Sequence, residues 1–161
     1  MNKINISIFV SGTGTNFLAI HKASKNKKFL GKINLVICDK GCPAFYLSKS
    51  LGYNTIVINK NCCDFENLIN DHLIINNINL ICLAGFMTIL SSHFVKKWKG
   101  KILNIHPSIL PLYPGLNTHN KVLKSGMKFH GSTVHIVDKN IDSGKIIGQF
   151  IFPIDPDSNK D

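Results

Sequence analysis

INISIFVSGTGTN, Ile4 to Asn16, is the stretch that decides the fold. Ile4 to Val10 is rich in Ile and Val with no clean polar alternation, the pattern of a strand buried on both faces. Ser11 to Asn16 supplies a Gly-containing turn, and a helical pattern follows from Phe17 to about Ser24. A strand, a tight turn and a helix N-terminus bring backbone N–H groups and the positive end of a helix dipole to one point, which suits an anion. The stretch lacks the third Gly of GxGxxG and the GKS or GKT of a nucleotide-binding P-loop. Read alone, it is equally an ordinary tight turn.

Outward from this unit the strand–helix alternation repeats. Lys32 to Cys38 reads as a second strand, followed by a helix from Pro43, suited to a first helical position, to Leu51, with Gly52 as terminator. Thr55 to Ile58 is a third strand. Asp64 is placed to cap a helix from Phe65 to about Asn76, with Phe65, Leu68, Ile69, His72 and Leu73 on one face. His72 reads there as a helix-surface residue. Leu80 to Leu83 is a fourth, uniformly apolar strand. Ala84 to Ser91, AGFMTILS, breaks it; small Ala84 and Gly85 open the backbone to a ligand, and Phe86, Met87, Ile89 and Leu90 offer apolar walls. Composition alone fits a strand end entering a core helix as well. A short helix from about Ser92 to Trp98 precedes the next strand.

That strand is ILNIHP, Ile102 to Pro107. Residues two apart on a strand share a face, so Asn104 and His106 point the same way just before Pro107 stops regular pairing. Beyond a Pro-rich stretch and a helix from about Thr118 to Lys124, ended by Gly126, come two alternating strands, Ser132 to Asp138 and Lys145 to Phe152. They read as an antiparallel pair joined by the polar VDKNIDSG turn, Val137 to Gly144, in which Asp142 can reach the imidazole. An amide donor, a base that titrates near neutrality and a carboxylate are the parts that acyl transfer to an amine requires. On spacing alone, the Asn and His are as well read as strand-end residues facing solvent.

The βα repeats predict an α/β fold, a mostly parallel twisted sheet with helices on both faces and a C-terminal antiparallel strand pair. Ligands then belong at the carboxyl ends of the strands, where SGTGTN, AGFMTILS and ILNIHP all stand. At 161 residues the chain reads as a single domain. No apolar run has the length of a membrane span, and MNKINISIFV enters a strand pattern without the layout of a signal peptide, so a cytoplasmic protein is expected. The five cysteines, Cys38, Cys42, Cys62, Cys63 and Cys82, form no CxxC pair; a disulfide framework and a structural zinc site are not expected. Cys38 and Cys82 read as small core residues.

The formal charge of +10 suggests nucleic acid at first sight. Yet all nineteen basic residues are Lys, and the clusters at Lys25 to Lys28 and Lys96 to Lys101 fall at helix ends, where cations complement the carbonyl dipole. Solvated faces are the simpler reading, and the positive potential would still attract small anionic substrates.

The longer string NIHPSILPLYPGLNTH, followed by HGSTVHIVDKNIDSGKII, resembles the phosphoribosylglycinamide formyltransferases of purine biosynthesis, whose pattern is NIHPSLLPxYPGLxTH and then HGxSVHxVxxxxDxGPxI. The resemblance runs from Ile4 to Phe152. It implies a Rossmann-like formyltransferase fold and transfer of a formyl group from 10-formyltetrahydrofolate to glycinamide ribonucleotide, with no metal and no nucleic acid. It implies a catalytic triad of Asn104, His106 and Asp142. SGTGTN resembles the family's SGxGSN, which implies phosphate binding by Gly14, Thr15 and Asn16, with Gly85 also at the substrate. AGFMTILS resembles LAGFMRILS, which implies that Met87, Thr88, Ile89 and Leu90 hold the folate pteridine, partly by main-chain groups. Asn104, Asp138, Lys139, Asn140, Ile141 and Asp142 complete that side. His119 and His135 match family positions and are expected in supporting roles. A monomer or weak homodimer is expected.

Thr88 stands where the family usually has Arg, which removes a cation from the pocket rim, and Cys62 falls near another usual Arg and cannot pair with an anion as Arg does. The sequence stops at DPDSNKD, about where the family continues into a helix whose Lys and Glu contact the substrate, so the chain reads as C-terminally short. Weakened ribonucleotide binding is the expectation on that reading. Two other functions fit the shared triad less well. One is formylation of another amine, such as methionyl-tRNA or an amino sugar, whose enzymes generally lack YPGLxTH. The other is a folate-binding remnant without catalysis.

Overall fold

A computed structural model describes residues 3–155. The chain divides into two compact units, Met1–Phe94 and Val95–Asp161.

The first unit is built from β1 (Ile4–Val10), α1 (Thr15–Ser24), β2 (Gly31–Cys38), α2 (Pro43–Ser50), β3 (Thr55–Val57), α3 (Phe65–Ile75), β4 (Leu80–Leu83) and α4, which begins at Ser92. Strand order is β3-β2-β1-β4 with every neighbouring pair parallel. β1 is central, so its side chains are covered on both faces: Ile8, Phe9 and Val10 are buried in succession. This explains the run without alternation. Ile6, Ile8, Val10, Val36 and Cys38 join Phe17 and Ala44 in one apolar cluster, with Cys82 packed against it. Burial pushes the Cys38 thiol up to about 12 and that of Cys82 to about 11, which marks both as inert packing residues.

Three local expectations change. Helix α1 starts at Thr15 and not at Phe17, because Gly14 takes φ +86° and turns the chain into the helix directly after the strand. Asp64 stands at the N-cap of α3 but its side chain makes no cap bond, its backbone lying at φ −101°, ψ 22°. The buried face of α3 is Phe65, Ile69, Asn70 and Leu73, while Leu68 is exposed.

In the second unit α4 ends at Lys97, and β5 (Ile102–His106), α5 (Thr118–Lys124), β6 (Phe129–Ile136) and β7 (Ile146–Pro153) follow. The expected β6–β7 antiparallel pair is present, and β5 is also antiparallel to β6. β6 alternates in burial as its sequence does, whereas β7 is exposed along its whole length. The alternation in β7 therefore does not report a buried face among the described residues. No helix of the described residues is long and apolar enough to cross a membrane.

Candidate active site

Three segments of the second unit bring the expected triad together. β5 carries Asn104 and His106; the β6–β7 connection carries Asp142; and the loop after β5 contributes backbone groups. Asp142 takes φ +51°, a left-handed conformation that Asp tolerates better than most residues, and this turns its carboxylate inward. The connection is shaped around Gly144, where an added Cβ would lie 1.7 Å from the Ile136 carbonyl oxygen. Asp138 closes it, accepting hydrogen bonds from the Asn140 amide at 3.0 Å and the Ser143 hydroxyl at 2.7 Å.

His106, only 4% exposed, has both ring nitrogens engaged. Nδ1 lies 3.2 Å from Asp142 Oδ2, and Nε2 lies 2.9 Å from the Tyr113 carbonyl oxygen. Both partners are acceptors, so the imidazolium form fills both contacts while a neutral ring donates to only one. The Gly115 amide donates to the same oxygen, Asp142 Oδ2, at 2.8 Å and so helps fix the carboxylate.

Asn104 reaches this pair through a fourth residue. It lies directly opposite His135 in the β5–β6 register, and its amide nitrogen is 3.2 Å from His135 Nε2. His135 Nε2 is also 3.6 Å from Asp142 Oδ1, and its Nδ1 faces the Ile136 carbonyl at 3.1 Å. With Nδ1 donating to that carbonyl, neutral His135 accepts from Asn104 at Nε2. One amide proton of Asn104 is then held, and the other remains for a ligand. His119 is elsewhere: its Nδ1 contacts His130 Nε2 at 2.9 Å.

The remaining expected residues of this unit, Lys139, Asn140 and Ile141, are exposed on the turn. Ile141 and Asp142 line a cavity of about 290 Å³ with Leu110, Pro111, Pro114 and Ile146.

In the first unit the two other expected stretches are neighbours. Ser11 N donates to the Gly85 carbonyl at 3.1 Å, and Met87 N donates to Ser11 Oγ at 2.8 Å. A Cβ built on Gly85, which takes φ +74°, would lie 3.9 Å from the Asn16 amide nitrogen. Gly14 and the exposed Thr15 stand at the start of α1, where first-turn amides lack intrahelical partners. Met87 and Ile89 are 69% and 77% exposed, apolar side chains held out from the surface.

Sequence reading assigns no role to Tyr113 and Gly115, which act through backbone atoms and carry no side-chain signal. The part played by His135 depends on β5 pairing with β6, which the reading of β6 and β7 as a pair left out.

Residues 4–161 match the formyl transferase family. The chain is 38% identical over 158 residues to the phosphoribosylglycinamide formyltransferase of Escherichia coli, covering 94% of this chain and 74% of that protein. It belongs to the phosphoribosylglycinamide formyltransferase family. A crystal structure of phosphoribosylglycinamide formyltransferase from Brucella melitensis superposes with a TM-score of 0.92 at 36% identity, covering 98% of this chain and 83% of that one. The Rossmann-like formyltransferase fold expected from the sequence is therefore the fold observed. The trifunctional purine biosynthetic protein adenosine-3 of Gallus gallus is 41% identical over 158 residues, which are 95% of this chain. This chain spans only 16% of that protein's length.

Proposed function

We propose that the chain transfers a formyl group from 10-formyltetrahydrofolate to the amine of glycinamide ribonucleotide, in purine biosynthesis. The observation that carries this reading is the His106–Asp142 pair at 3.2 Å, with Asn104 on the same strand and held by His135. Family membership narrows the acyl group to formyl.

The folate supplies the activated formyl group. Residues 84–91 suit its flat ring: Gly85 opens the backbone, Met87 and Ile89 give apolar contact, and main-chain groups at Thr88 and Leu90 face its polar edge. On this reading Asp138, Lys139, Asn140, Ile141 and Asp142 are also assigned to the folate, and Gly14, Thr15, Asn16 and Gly85 to the ribonucleotide, its phosphate on the α1 N-terminus.

As the amine nitrogen bonds to the formyl carbon, charge collects on the formyl oxygen. Asn104 donates its free amide proton to that oxygen, where a preorganised donor acts most strongly. Asp142 takes the proton released by the amine, through water, and His106 delivers a proton to N10 as the carbon–N10 bond breaks. The proton count closes: one leaves the amine, one reaches N10, and the products are the formamide and tetrahydrofolate.

Single-turnover formyl transfer tests the assignment. Asn104→Ala and His106→Ala should each slow it by a factor of ~10²–10³. Rates within threefold of the parent for both would overturn it.

A further inference from the structure

We infer that Asp39 and Glu66 are positioning residues which hold residues 84–91 in shape, Asp39 at Met87 and Thr88 in its middle and Glu66 at Ser91 at its end, so that the segment is ordered before any ligand arrives. The inference rests on the folate reading of that segment for its kinetic consequence, but its structural part stands on geometry within the first unit.

Asp39 follows β2 and is 2% exposed. Its Oδ2 accepts from Ser11 Oγ at 2.8 Å and from Thr88 Oγ1 at 2.7 Å. A carboxylate is only an acceptor, so it fixes the direction of the Ser11 hydroxyl proton. The Ser11 oxygen is thereby left to accept from the Met87 amide, which it does at 2.8 Å. One carboxylate thus sets Thr88 directly and Met87 through a hydroxyl. Asp39 Oδ1 is buried and has no hydrogen-bond partner among the described residues. Burying half a carboxylate unpaired is costly, so the group's hydrogen bonding rests on the two bonds at its other oxygen.

At the far end Glu66, in the first turn of α3, accepts from the Ser91 amide at 2.6 Å through Oε1 and from the Ser91 hydroxyl through Oε2. Ser91 Oγ in turn accepts from the Phe94 amide at 3.1 Å and so starts α4. The side chains of Met87, at the first clamp, and of Ile89, between the two, remain exposed. A segment tied at two points, with its apolar side chains left open, has its ordering entropy already removed, and the benefit of preorganisation appears as ligand affinity and not as chemistry.

The test combines exchange with kinetics in the full chain. In the parent, the Met87 and Ser91 amides should exchange slowly with solvent. Asp39→Ala and Ser11→Ala should each speed exchange at the Met87 amide, and should raise both KM and Kd for 10-formyltetrahydrofolate at least about tenfold, the loss of one hydrogen bond to a charged group in Ser11→Ala and of two in Asp39→Ala, with kcat within twofold. The double variant should be no worse than Asp39→Ala, because Ser11 acts on Met87 only through the relay that Asp39 starts. Asp39→Asn keeps a carbonyl acceptor at the Oδ2 position and should stay within threefold of the parent. Glu66→Ala should free Ser91 while leaving Met87 protected. Thr88→Val, at a half-exposed site, covers the case in which Asp39→Ala fails to fold, and should weaken folate binding several-fold. A folded Asp39→Ala or Thr88→Val with parental Met87 exchange and parental folate affinity would overturn the inference. So would equal losses in Asp39→Asn, Asp39→Ala and ribonucleotide KM, the mark of a merely structural residue. If the parent binds no folate, the functional reading fails, and Met87 exchange then decides the clamp by itself.

Discussion

The Asn104 amide nitrogen lies 3.2 Å from His135 Nε2, across a directly opposed pair of β5 and β6. This contact turns an amide on a strand into an oriented donor, since one of its two protons is occupied and the direction of the other follows. His135 itself is 2% exposed and is held by the Ile136 carbonyl. We expect His135→Ala to lower kcat about tenfold, the effect of losing one ordinary hydrogen bond, with both KM values unchanged. Steady-state kinetics with each substrate varied checks this. A rise in the ribonucleotide KM alone would place His135 in binding instead.

Asp142→Asn separates chemistry from folding. Asn tolerates the φ of +51° at this position, and its carbonyl can still accept the Gly115 amide proton. It cannot take a proton or balance an imidazolium at His106. We expect a rate loss of ~10²–10⁴, in the range of general acid–base catalysis, with a thermal midpoint within a few degrees of the parent. Single-turnover rates set beside a melting curve give both numbers.

Gly14 is where the fold and the proposed phosphate site meet. It takes φ +86°, and an added Cβ would stand 2.9 Å from Ala44 Cβ on α2, closer than real Cβ contacts come. Gly14→Ala should therefore destabilise the chain by roughly 1–3 kcal/mol through backbone strain alone, with the clash adding to it. Gly12 has nothing within 4 Å of its built Cβ, so Gly12→Ala should stay within about 0.5 kcal/mol of the parent. Urea unfolding of the pair measures the difference.

The sequence reading succeeds where a residue's environment is set locally. β1 is legible because a central strand must be apolar on both faces, and Asn104 with His106 because strand period fixes their common side. Asp142 is legible because the turn between two apolar strands has few other carboxylates to offer. Tyr113 and Gly115 are not, since carbonyls and amides look alike at every position. Asp39 reads as a polar residue after a strand; only the positions of Ser11 and Thr88, 28 and 49 residues away, make it a clamp. The exposure of β7 is also hidden, because its apolar alternation is the pattern a half-buried strand would have.

The last expectation concerns acid. His130 Nε2 meets His119 Nδ1 at 2.9 Å, a distance at which one nitrogen donates and the other accepts, so the pair holds a single shared proton. His130 is 8% exposed, it packs against Phe152, and its Nδ1 has no partner among the described residues. Burial, with the neighbouring His119 second, lowers its pKa from the ordinary 6.5. The native state thus favours the neutral ring, whereas the unfolded chain takes up a proton at the ordinary value. Its stabilising contribution is therefore full above about pH 6.5, declines as the pH falls below that value, and is fully lost once the folded pKa is passed. His130→Phe should flatten the fall in unfolding free energy between about pH 7 and pH 5 relative to the parent. His119→Ala should make the parent's slope shallower by removing the second cause. Urea titrations at intervals across that range supply the curves, and parallel curves for the parent and His130→Phe would show that the buried ring does not carry the pH dependence.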